Sequence, residues 1–141
     1  MLAQFLDLRT SQNASYANSI AIPILVVDTP QLVGQVGLNT GNAGANIRVE
    51  LQGTIAVQLP LALVSITISV VRGTLPTDPE IFSASQSFSL EVLAPQVISF
   101  NASDFDPPAA DQLTYTMFVS SSLLGTIRVG PESFSGIAVS D

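Results

Sequence analysis

Residues 46–58, N-I-R-V-E-L-Q-G-T-I-A-V-Q, alternate in character: Ile47, Val49, Leu51, Ile55 and Val57 share one face, and Arg48, Glu50, Gln52, Thr54 and Gln58 the other. A period of two belongs to a strand with one buried face, so this segment is predicted to be a half-buried strand, with Gly53 marking a bulge or bend. Val64 to Val70 repeats the pattern with Ser65, Thr67 and Ser69 outward, and ends at Arg72-Gly73-Thr74 and the turn region Pro76 to Pro79. A third set, Phe82, Ala84, Gln86, Phe88, Leu90 and Val92, is opposed by Ser83, Ser85, Ser87 and Ser89 and closed by Pro95. Shorter β-prone runs follow at 97–100, 113–119, 124–129 and 133–139, and two precede, at 19–28 and 31–38, separated by Thr29-Pro30. None has helical spacing. Eight or nine strands with turn signals between them predict an all-β, antiparallel β-sandwich, with jelly-roll connections at this length.

The first residues break the pattern. Leu2, Phe5, Leu6 and Leu8 cluster without strict alternation and are followed by the polar stretch S-Q-N-A-S-Y-A-N-S. Residues 1–18 are therefore read as an extended N-terminal arm and linker, and 19–141 as a single sandwich domain. Ten extended residues reach roughly 30 Å, enough to cross to a neighbouring subunit, so these four apolar side chains are the expected subunit contacts. The competing reading is an ordinary first strand or short helix packed on its own domain.

Composition sharpens this. Hydrophobic residues make up 47% of the 141-residue chain and charged residues only 11%, so its surface is largely uncharged and readily desolvated. The four basic residues are all arginine (Arg9, Arg48, Arg72, Arg128), lysine is absent, and the net charge is −7. Nucleic acid and anionic membrane are poor partners for such a chain, and no segment is suited to membrane insertion. The start M-L-A-Q-F-L-D-L-R-T carries no basic leader and no sustained apolar run, so no signal peptide is recognisable.

Candidate chemistry is sparse. Cysteine and histidine are absent, which removes disulfides, thiol nucleophiles, imidazole bases and the commonest transition-metal ligands. Asp104, Asp106 and Asp111 frame a loop whose spaced oxygens suit calcium, but Pro107 and Pro108 occupy the place where a calcium loop bends at glycine. Nothing pairs Glu50 or Glu91 with a second carboxylate. Asn13-Ala14-Ser15 and Asn101-Ala102-Ser103 match the glycosylation pattern and read as turn chemistry. Tyr115 reads as a core or sheet-edge aromatic. The expectation is no enzyme, no catalytic residue, no cofactor and no metal.

The segments R-V-E-L-Q-G-T-I-A-V-Q, S-I-T-I-S-V-V-R-G-T, E-I-F-S-A-S-Q-S-F and D-P-P-A-A-D-Q-L-T-Y-T-M-F-V resemble the small exosporium protein C-type β-sandwich proteins of spore-forming bacilli, over residues 45 to 120. Those proteins resemble in turn the jelly-roll subunits of endospore appendages, whose N-terminal arm inserts into a neighbour. The resemblance implies a spore-surface or extracellular subunit without a signal peptide, whose expected partners are copies of itself and other spore-surface proteins. N-terminal cysteines like those of the appendage subunits are missing, so covalent stapling is not expected. The alternative is a trimeric jelly-roll head, similar to tumour-necrosis-factor or complement heads, recognising a receptor or carbohydrate.

Overall fold

A computed structural model describes residues 2–141. It has ten strands: β1 (Gln4–Ala14), β2 (Ile22–Pro23), β3 (Gln31–Asn39), β4 (Arg48–Gln58), β5 (Val64–Arg72), β6 (Glu80–Phe88), β7 (Gln96–Phe105), β8 (Gln112–Ser121), β9 (Ile127–Arg128) and β10 (Glu132–Ser140). No helix occurs among the described residues. All pairings are antiparallel. The long strands form two sheets in the orders β1-β10-β4-β7 and β3-β8-β5-β6, hereafter the first and second sheets. Short β9 continues the β10 side of β4 and pairs with β2. Among the eight long strands the order is therefore first-eighth-third-sixth over second-seventh-fourth-fifth, which is the nested Greek-key order of a jelly roll.

This order fixes the place of the N-terminal segment. A jelly roll needs its first strand beside its last, and β1 pairs with β10 from Gln4↔Ser140 to Ala14↔Glu132. Residues 4–14 thus form an edge strand of their own sandwich. The sequence pattern hides this because a register shift between Phe5 and Asp7 breaks the alternation. Leu6 packs against the core and the Asp7 carboxylate accepts the Asn39 N–H at 2.8 Å, while Phe5 and Leu8 stay outward.

Two further sequence expectations change. Gly53 sits in unbroken register between Phe134 and Phe100, so it is not a bulge. It is glycine because a Cβ there would overlap the Phe100 ring. The third alternating run stops at Phe88, and Leu90 lies exposed in the following loop.

The core lies between the sheets, with Leu51, Ile55, Val57 and Phe134 from the first facing Leu38, Ile66, Val70, Tyr115 and Met117 from the second. Two ion pairs, one partly and one fully buried, tie it together. Arg72 of β5 holds Asp104 of β7 through bonds of 2.7 and 2.8 Å, and Tyr115 of β8 donates its hydroxyl to Asp104 at 2.6 Å. Burial, then the Asp104 carboxylate, pushes the Tyr115 hydroxyl far above its ordinary value. Arg128 and Glu132 form the second pair, bidentate at 2.6 Å, and Asn13 of β1 donates to Glu132 at 3.0 Å and to the Val33 carbonyl at 2.6 Å.

Candidate assembly surfaces

The two sides of the sandwich are finished differently. On the β1/β3 side, Asp7 and Asn13 reach from β1 to backbone groups of β3, so that edge is capped. On the β6/β7 side, no side-chain hydrogen bond among the described residues reaches either strand's free edge. Phe82 and Phe100 stack across it, ring centres 5.0 Å apart. Between this stack and buried Phe88 the side is uncovered: Ala84 and Gln86 point inward by register with buried Ile68 and Ile66, yet are exposed. The result is a groove of about 240 Å³ with Ile66 and Ile68 as its floor and Phe82, Ile98 and Phe100 as walls. No charged residue lies on β6 after Glu80, nor on β7 before Asp104. Long uncharged free edges are rare in proteins that stay apart, because an unpaired strand edge recruits another chain.

A second apolar surface covers the outer face of the first sheet. Register places Phe5, Val139, Arg48 and Phe105 in one row, and Leu8, Ile137, Glu50 and Ser103 in the next. Phe105 is 71% exposed, Phe5 61% and Leu8 54%. Between them lies a hollow of about 420 Å³ lined by Arg48, Glu50, Phe105, Ile137 and Val139. Its one arginine is already engaged, because Arg48 bonds Asp141 at 2.9 Å. The Asn46 side chain, then Arg48, holds the Asp141 carboxyl below its usual value. The hollow is thus mainly apolar, with Glu50 as a carboxylate that has no ion-pair partner among the described residues, and it suits apolar side chains rather than an anion.

Of the four side chains expected to contact a neighbour, Phe5 and Leu8 belong to this surface, Leu6 packs inward, and Leu2 lies exposed before β1. Ile137, Val139 and Phe105 were not singled out by sequence. Their signal is the run F-S-G-I-A-V, in which Phe134, Gly136 and Ala138 are buried while the larger Ile137 and Val139 face out. The interior opposite Gly136 is already full, since a Cβ there would collide with Leu51.

The remaining candidates resolve into structural roles. Asp104 is buried and spends both oxygens on Arg72 and Tyr115, apart from Asp106 and Asp111 in the loop. No group of three His, Cys, Asp or Glu side chains among the described residues is placed to hold a metal. Glu50 lies on the outer face just described and Glu91 in the exposed β6–β7 loop. Asn13 is used in the Glu132 network, and Tyr115 is fully buried.

No protein-family model matches the chain, and no curated protein matches it. Solved structures with some likeness include infectious bursal disease virus, Gx strain, at 8% identity and TM-score 0.32, covering 95% of this chain and 41% of that one. Another is the VP2 subviral particle of the same virus, at 10% identity and TM-score 0.31, covering 94% and 39%. The chain thus spans about two fifths of those proteins, and the jelly-roll assignment rests on its own strand order.

Proposed function

We propose that this chain is a structural subunit that assembles non-covalently with copies of itself, the open β6/β7 side of one copy seating on the outer face of the first sheet of the next. The observation that carries this is the pair of unlike apolar surfaces flanking β7: an uncharged open edge, and a hollowed face whose arginine is paired with Asp141 and whose margin carries Glu50. A contact between two different surfaces is heterologous, so it closes into a ring or propagates as a filament according to its rotation. A closed ring is the arrangement of a trimeric head, and an open one that of a fibre or layer. Phe5 and Leu8 take part from within their own sheet, and insertion of all of β1 into a neighbour would be a strand exchange that gives up its pairing with β10. The sparse charge and the absence of lysine and cysteine suit a durable non-covalent material, and the strand resemblance favours a spore-surface or extracellular setting.

The test places a charge on either surface separately. Ile137→Asp on the face and Ala84→Glu in the groove both alter exposed positions, so the fold is retained, and each sets a negative charge against the contact that already holds Glu50. Each is expected to abolish rings or fibres by light scattering and negative-stain imaging, leaving species no larger than a pair. Unchanged assembly in both variants would refute the reading.

A further inference from the structure

Glu50 is exposed in the hollow of the first sheet and has no ion-pair partner among the described residues. Around it β10 contributes Ile137 and Val139, β7 Ser103 and Phe105, and β1 Phe5 and Leu8, none of which titrates. On its own strand it stands between Arg48 and Gln52. Arg48 is the only cation on this face among the described residues, and Asp141 holds it at 2.9 Å. Asn46 in turn donates to Asp141 at 3.1 Å, which keeps the arginine away from Glu50. Arg9 of β1 is turned to the other face by its register with Gly136 and is engaged by Asp7 at 3.0 Å. Asp104 points inward, to Arg72 and Tyr115.

The surface that covers Glu50 in the proposed assembly supplies no counter-charge. β6 after Glu80 and β7 before Asp104 are uncharged, the margins add only the acidic Asp78, Glu80 and Glu91, and Arg72 is committed to Asp104. We infer that the contact between hollowed face and open edge is proton-gated: Glu50 takes up a proton as the next copy covers it, so assembly strengthens as pH falls. This rests on the proposed assembly and supplies its control. A carboxylate moved from water into an uncharged, apolar contact is disfavoured against its neutral acid. The protonated carboxyl can donate to Ser103, its register partner on β7. The assembled state therefore binds more protons than the free chain, and the contact is strongest in the carboxylate range and weakens as pH rises above it. The Arg48–Asp141 pair persists through the change, because Asn46 and Arg48 hold the Asp141 carboxyl below its usual value. General repulsion between copies of net charge −7 runs in the same direction, but it depends on no single residue.

Light scattering of the full chain, from about pH 5 to about pH 7, gives the concentration at which assembly begins while the ordinary carboxylates stay largely ionised. For the wild type that concentration is expected to rise with pH, by up to about tenfold per pH unit, as uptake of one proton per contact requires. Glu50→Gln, neutral throughout, should assemble at the upper pH as readily as the wild type does at the lower, with most of the slope gone. Asp111→Asn removes one exposed charge from a loop outside both surfaces and should keep the wild-type slope. A wild-type concentration that does not change with pH overturns the proton gate and leaves the assembly standing. Equal flattening in Glu50→Gln and Asp111→Asn also overturns it, because the slope then belongs to net charge. Absence of assembly at every pH, in the wild type and in Glu50→Gln alike, refutes the assembly and the gate together.

Discussion

Arg72 and Asp104 face each other across the sandwich, one on each sheet, and meet in a bidentate ion pair that also receives the Tyr115 hydroxyl. The pair stands near the end of the open side, where Phe82 of β6 stacks on Phe100 of β7. Removing one member leaves the other charge in a site built for two.

Asp104→Ala is therefore expected to destabilise the fold by about 3 kcal/mol. Tyr115→Phe keeps the ion pair and loses one bond to a charged acceptor, so about 1.5 kcal/mol is expected. Urea unfolding of the two variants measures both, and equal losses would mean that the hydroxyl, not the ion pair, dominates.

Glu132→Ala should cost more than Asp104→Ala, because Arg128 is more deeply buried than Arg72 (side chains 5% and 26% exposed). The expected loss is about 4 kcal/mol. Asn13→Ala removes two bonds near the end of β1, and its effect should appear as faster amide exchange in β1 and β3.

Acid should weaken the fold in a defined direction. The Asn39 backbone N–H, then Arg9, lowers the Asp7 carboxyl, and Asn46 with Arg48 lowers that of Asp141, both from an ordinary 3.8. A carboxylate lowered in the folded state contributes stability that is complete above its unfolded value and lost as pH falls through its folded one. The melting temperature should thus hold from neutral pH to the ordinary carboxylate range and drop below it, with a smaller drop in Asp7→Asn.

Alkali acts oppositely through Tyr115. Its folded value is raised from 10.0, so the neutral hydroxyl is favoured by folding, and that contribution is present below the unfolded value and lost as pH rises above it. Tyrosinate absorbance from Tyr115 should appear only together with loss of the folded signal, and the fold of Tyr115→Phe should be less sensitive above about pH 10.

The central strands were legible because burial of one face imposes a period of two: Ile47 to Val57 and Val64 to Val70 sit as their alternation requires. β1 was legible only as the competing reading, an ordinary first strand, because the Phe5–Asp7 irregularity turns Leu6 and Asp7 to the same side. Gly53 signalled close approach, and only the folded chain shows that Phe100 approaches it. The assembly surfaces depend on long-range geometry. Ala84 and Gln86 hold inward positions that no neighbour covers, and Ile137 faces out because Gly136 and Ala138 already fit a filled interior.

The absence of cysteine from the chain permits a direct measurement of the face-to-edge contact. A doubly substituted chain, Ala84→Cys with Ile137→Cys, treated with a short thiol-reactive bis-maleimide, should yield a ladder or closed set of covalent multimers on a denaturing gel. Either single substitution should yield none, because a heterologous contact brings residue 84 of one copy to residue 137 of the next and neither to itself. Monomer alone from the double variant, or multimers in equal amount from a single one, would contradict the proposed assembly.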